Sequence, residues 1–240
     1  REGNRIAIFE ACVTNLGKYN EGQLAYERVA FPTDTETVQA ALKKIGIDGI
    51  RYEEFFIADY DGSMPQLYEH LGEYESIDEL NHLACVLSEL DEDELAKFEA
   101  VMDGGEYTGS VKDLINLAQN LDSYNFYSDI HTEEELGRMY IQELEAVQVP
   151  EHLIDYIDYE AYGRDARINE GGHFAPGGYV QGGHSFKEHY HGLEDIPDEH
   201  RVFSMPKVPI REQMAAYQEM ANRASQTTER PAPKVDREER

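Results

Sequence analysis

Between Tyr52 and Gly163 the chain carries 29 acidic side chains and only 3 basic ones, Lys97, Lys112 and Arg138. Residues 1–51 balance 7 acids against 7 bases and residues 164–240 hold 13 acids and 11 bases, so a net −26 of the total −28 lies in the middle. Charge at this density repels itself, whereas solubility needs a net of only about 2–8 on a small domain. A disordered acidic tail would gather its charge in a terminal block poor in aromatics. Here the acids are interleaved with Leu, Phe and Tyr at spacings that fold. The segment must therefore build cores while presenting its carboxylates to water, and a basic partner is the natural complement. Direct nucleic-acid binding, which needs Lys and Arg to displace counterions from phosphates, is excluded.

Pattern and punctuation give an α+β chain. The apolar run Ile6 to Val13, the turn-like stretch Asn15 to Gly22 and the second run Leu24 to Phe31 predict two strands joined by a loop. Thr33 or Asp34 caps a helix through Ile45 whose apolar positions Val38, Ala41, Leu42 and Ile45 share a face. Glu53 to Asp59 reads as a third strand. From Ser63 to Asn120 the period is helical, with start signals at Ser76/Glu79, Asp91/Glu94 and Ser110/Asp113, and again at Thr132/Glu135. Tyr124 to Ile130 reads as a strand, Thr132 to Leu144 as a helix, and Pro150 to Tyr159 as a helix with Pro near its first turn. Gly171-Gly172, Gly177-Gly178 and Gly182-Gly183 mark loops or weak strands. Prolines 197, 206 and 209 predict a linker, Ile210 to Ala224 a polar helix, and residues 225–240 a disordered end. The expected units are residues 1–62 (α+β), 63–122 (acidic and helical), 123–192 (α+β) and a 193–240 extension. Residues 197–240, with 8 acids and 8 bases, add nothing to the acidic surface, and their prolines predict weak packing.

The chain resembles the ArdA anti-restriction family in three places and in order. Val13 to Gly22 (VTNLGKYNEG) is similar to the family's N-terminal strand and loop, Leu87 to Phe98 (LSELDEDELAKF) to its acidic anti-restriction motif, and Tyr156 to Asp165 (YIDYEAYGRD) to its C-terminal hallmark. The resemblance spans about residues 5–190. It implies an elongated molecule of three small domains, a homodimer, whose acidic surface imitates bent duplex DNA. It also implies carriage by conjugative elements or phages, and binding to the modification and specificity core of a Type I restriction-modification enzyme through that enzyme's basic DNA groove. At one charge per roughly 1.7 Å of duplex, 26 net charges correspond to about 44 Å of DNA.

Under this reading the partner-binding acids are many and dispersed. Glu53, Glu54, Asp59 and Asp61 close the first unit. Glu69, Glu73, Glu75, Asp78, Glu79, Glu89, Asp91, Glu92, Asp93, Glu94, Glu99, Asp103, Glu106, Asp113 and Asp122 lie in the helical middle. Asp129, Glu133, Glu134, Glu135, Glu143, Glu145, Asp155 and Asp158 lie in the last unit. Singly, acids in a first helical turn need no partner, since the helix dipole and orphan N–H groups favour them. What local structure leaves unexplained is the shortage of cations, because three bases cannot neutralise 29 acids by i,i+4 pairing. Phe126, Tyr127 and Asp129 are candidate dimer contacts, although aromatics at strand spacing usually pack inward.

No catalytic signature accompanies these acids: G-x-S-x-G, a P-loop and H-E-x-x-H are all missing, and the glycine pairs form no nucleotide fingerprint. Asp59-Tyr60-Asp61-Gly62 begins like a calcium loop but does not complete the twelve-residue pattern. His173, His184, His189 and His191 lack metal-ligand spacing. The only cysteines, Cys12 and Cys85, fit a reducing compartment. Arg1 to Glu10 holds no signal-peptide core and no apolar run approaches the roughly 18–20 residues of a membrane span. The expectation is a cytoplasmic, non-enzymatic binding protein without metal or cofactor.

Overall fold

The computed structural model describes residues 7–228. It is a mixed α+β structure containing two small antiparallel sheets. In the first, β1 (Phe9–Asn15) is central, flanked by β2 (Tyr26–Phe31) and β3 (Phe55–Gly62), with Phe9 opposite both Phe31 and Gly62. Phe9, Val13, Val29, Phe31 and Ile57 are buried beneath α2 (Thr35–Lys44), which contributes Val38, Ala41 and Leu42. Asp34 starts α2 by accepting the Thr37 N–H at 2.7 Å. Asn15 to Gly22 is more ordered than a turn. The Asn15 side chain accepts the Lys18 N–H at 2.9 Å and starts a short helix, α1 (Leu16–Asn20). The third strand is displaced from Glu53–Asp59 because Asn15 pairs with Phe55, which leaves Glu53 and Glu54 ahead of it.

The middle holds α3 (Pro65–Tyr68), α4 (Ile77–Ser88), α5 (Glu92–Asp103) and α6 (Val111–Gln119). The expected start signals all work: Ser76, Asp91 and Ser110 accept the N–H three residues on. Asp91 and Glu94 reciprocate in a capping box, as do Thr132 and Glu135 at the start of α7 (Glu133–Arg138). Each cap satisfies donors that a helix end leaves unpaired. Leu80, Leu83, Leu87, Phe98, Leu114 and Leu117 are fully buried between these helices.

The second sheet has the order β4-β6-β5, from Tyr124–Tyr127, Gly178–Gly182 and His173–Ala175. Its helices differ from expectation. α7 (Glu133–Arg138) widens into a π turn over Met139–Glu143 instead of continuing to Leu144, and Pro150 leads into a 3-10 segment, Glu151–Tyr156. The main helix follows: Asp158 accepts the Ala161 N–H at 2.9 Å and starts α8 (Tyr159–Glu170), ended by left-handed Gly171. α8 lies on α7, with Gly137 and Gly163 at the crossing.

The chain past β6 does not run free. The side chains of Asn116 in α6 and Asn120 at its C-terminal cap hold residues 187–190 by hydrogen bonds to their backbone. Asn81 of α4 donates to the His200 carbonyl at 2.9 Å, and Asp78 accepts the Val202 and Phe203 N–H groups, both at 2.7 Å. Tyr190, Ile196 and Val202 are buried. The prolines thus punctuate a strap tied across α4 and α6, where weak packing had been the expectation. Asp78 and Asn81, on one face of α4, add polar contacts to the hydrophobic anchor that Tyr190, Ile196 and Val202 provide. α9 (Ile210–Thr228) follows and is fastened to the first unit by Arg51–Glu219 and Arg223–Glu21 ion pairs. α9 runs past Ala224 to Thr228, into the stretch expected to be disordered, and residues 229–240 lie outside the described residues. A single contiguous buried cluster joins the first sheet, the helical middle, β4, β6 and the strap, and a smaller one (Leu136, Met139, Tyr179) sits beneath α7.

Candidate functional site

The sequence singled out 27 acids, and none of them is buried: 21 are exposed, while Glu75, Asp78, Glu79, Glu99, Asp113 and Glu133 are half-exposed. Helix starts explain much of this placement. Asp78 and Glu79 open α4, Glu92 to Glu94 open α5, Asp113 opens α6 and Glu133 to Glu135 open α7. There the aligned peptide dipoles favour negative charge, so each short helix carries carboxylates at its solvent end without needing a cation.

Some of these acids have internal duties. Asp78 fixes the strap and Glu79 accepts the Tyr190 hydroxyl at 2.8 Å. Burial pushes the Glu79 carboxyl up from the usual carboxylate range against the opposing pull of that hydroxyl, and burial likewise raises Glu99. Glu135 is held below the usual range, chiefly by the His131 N–H. Glu75 accepts the Gly72 N–H, Glu133 pairs with Arg167 at 2.9 Å and Glu134 with Arg138 at 2.7 Å. Asp59 and Asp61 share Arg28 at 3.8 and 3.7 Å.

The remainder are uncompensated. Among the described residues, Glu89, Glu92, Asp93, Asp103, Asp129, Glu143, Glu145 and Asp155 are exposed and make no ion pair. Of the three cations in this segment, Lys112 is taken by Glu188 from outside it, Arg138 by Glu134, and Lys97 is half-buried. Exposed, unneutralised carboxylates offer acceptor oxygens to Arg and Lys as phosphates do.

A family model described as "Antirestriction protein (ArdA)" matches residues 11–181, which is 171 of the 240 residues. The chain belongs to the ArdA antirestriction family. The ArdA match opens in β1 and closes in β6, so it spans both sheets and takes in all 27 of the acids singled out by the sequence, while the strap and α9 lie beyond it. Comparison with curated proteins gives no match.

The stretch Tyr156 to Asp165 is a helix start: Asp158 is the cap and Gly163 the crossing point with α7. Tyr156 itself is 84% exposed. Of the suggested dimer contacts, Phe126 and Tyr127 are half-buried against the two cores and Asp129 is exposed. A feature not foreseen from the sequence is the set of exposed apolar side chains Leu144, Val147, Leu153, Ile154 and Tyr156 around the π turn and 3-10 segment. Their spacing follows neither a helical nor a strand period, so periodicity could not flag them.

His173, His189 and His191 have separate structural positions. The His173 ring contacts the Ala100 carbonyl at 2.8 Å, His191 pairs with Asp195, and the His189 N–H is held by Asn116. No group of three or more His, Cys, Asp or Glu among the described residues is arranged to hold a metal ion. No helix among them is long and apolar enough to cross a membrane.

Proposed function

We propose that this chain inhibits a Type I restriction-modification enzyme by imitating duplex DNA and occupying the enzyme's basic DNA-binding groove, without catalysis and without a cofactor. The observation that carries the reading is the exposure of 21 of the 27 acids in a segment with three bases. Net charge is what a basic groove reads, and here it is fixed on short capped helices, so the carboxylates pay little ordering cost on binding. Family membership supports antirestriction as the biological outcome.

The same reading takes the molecule as an elongated arrangement of three small domains acting as a homodimer in the cytoplasm of a bacterial host, without binding nucleic acid itself. Exposed apolar side chains at Leu144, Val147, Leu153, Ile154 and Tyr156 support a dimer face in the last unit, since apolar patches rimmed by charge commonly mark interfaces.

The test is competition: a purified Type I complex is loaded with fluorescent duplex DNA and titrated with the protein. Stoichiometric displacement is expected. Failure to displace DNA there, together with displacement from a nucleoid protein, repressor or other defence nuclease, would redirect the reading to that target.

A further inference from the structure

We infer that the cleft between the α2–β3 connection and the start of α9 binds a small phosphate monoester with an apolar or aromatic body, of about mononucleotide size. The cleft has a volume of about 470 Å³, within the range of small-molecule sites. Its charge is inverted relative to the rest of the molecule. Lys18, Lys43, Arg51 and Lys207 line it against only Asp48 and Glu212, a local balance of +2 on a chain of −28.

The three lysines are available to a ligand. Among the described residues Lys18, Lys43 and Lys207 make no ion pair, although carboxylates are abundant everywhere else. Asp48 is already engaged, because one carboxylate oxygen accepts the N–H groups of Ile50, Arg51 and Tyr52. Lys18 is laid across Gly46, where a Cβ would overlap the Lys18 ammonium, and sits 5.7 Å from the centre of the Tyr52 ring. Arg51 is held by Glu219 at 3.1 Å.

A phosphate monoester near pH 7 carries −1.5 to −2 charges, which the three lysines outside any ion pair can meet, and ammonium groups bind it through charge-assisted hydrogen bonds. Ile47, Tyr52, Pro206 and Val208 supply an apolar wall for the body of the ligand. Two of those four come from the strap, so an occupant would bridge the first unit and the extension.

Calorimetry on the full chain at low salt, with AMP, inorganic phosphate and adenosine as probes, tests this. AMP is expected to bind saturably in the millimolar range or tighter, phosphate and adenosine each at least about tenfold more weakly, and AMP to raise the unfolding temperature. Lys43→Ala with Lys207→Ala, both exposed, is expected to weaken AMP about tenfold or more. Lys18→Ala is expected to do the same, with folding checked by circular dichroism. The proposal is overturned if AMP shows no saturable binding, if phosphate or adenosine binds as tightly as AMP, or if the Lys43/Lys207 double variant, still folded, binds AMP unchanged.

Discussion

Gly137 of α7 and Gly163 of α8 cross backbone to backbone: a Cβ on Gly137 would overlap the Tyr159 carbonyl, and one on Gly163 the Glu133 carbonyl. Arg167 and Glu133 close the crossing with an ion pair. Gly163→Ala is expected to destabilise the protein by about 2–3 kcal/mol or more, because overlap with backbone cannot be relieved by a rotamer change. Urea unfolding measures this, and a neutral result would mean that the helices part at no cost.

Affinity for the restriction-modification enzyme is expected to fall steeply with salt, as ions compete for the groove. Binding measured from low to physiological ionic strength checks it. A flat response would assign the interaction to apolar contacts.

Inhibition should decline by accumulation. Asp91 and Glu94 form a capping box, so changing them mixes helix stability with binding. Glu89, Glu92, Asp93 and Asp103 carry no such duty. Each Asn or Gln replacement there is expected to cost no more than about 1 kcal/mol of binding, with losses growing through the series. Abolition by one isosteric change in a folded variant would reveal a hot spot and contradict dispersed mimicry.

Truncation after Ile196 is expected to destabilise the fold strongly. It removes buried Val202, deprives Asn81 of the His200 carbonyl and leaves Asp78 without the Val202 and Phe203 N–H groups. Truncation after Pro209 keeps all of these and is expected to cost much less. Equal melting temperatures for the two truncations would contradict a docked strap.

Acidification is expected to weaken the strap. His82 is buried with its Nδ1 2.8 Å from the His200 Nδ1, an arrangement that requires one ring to be neutral at that nitrogen. Burial, reinforced by His200, lowers the His82 pKa to about 4 from an ordinary 6.5. The unfolded chain therefore binds the proton first, so this contribution is complete above about pH 6.5 and is lost as pH falls toward 4. Carboxylates titrate in the same window, so the diagnostic is a difference: His82→Gln should show a shallower loss of stability than the parent between pH 6.5 and 4. Parallel curves would dismiss the histidine pair.

Legibility followed locality. The caps at Ser76, Asp91, Ser110 and Thr132 were readable because donor and acceptor lie three residues apart. α8 escaped because its contact with α7 rests on Gly163, and a glycine carries no hydrophobic signal. The docked strap escaped because His82 meets His200 and Asn81 holds the His200 carbonyl across more than a hundred residues. Prolines there were visible; their partners on α4 were not. The acidic surface was legible as a charge count, but which acids were committed internally, such as Asp78 and Glu79, required the fold.

Asn81, Asn116 and Asn120 grip the strap almost wholly by its peptide groups, much as a neighbouring strand would. A clasp of this kind is indifferent to most of what it holds. Exposed strap positions such as Glu194 and Glu199 are free to drift in sequence, while the three asparagines are not. The segment that most resembles a linker in composition can therefore change its exposed residues and keep its place, so long as Tyr190, Ile196, His200 and Val202 stay.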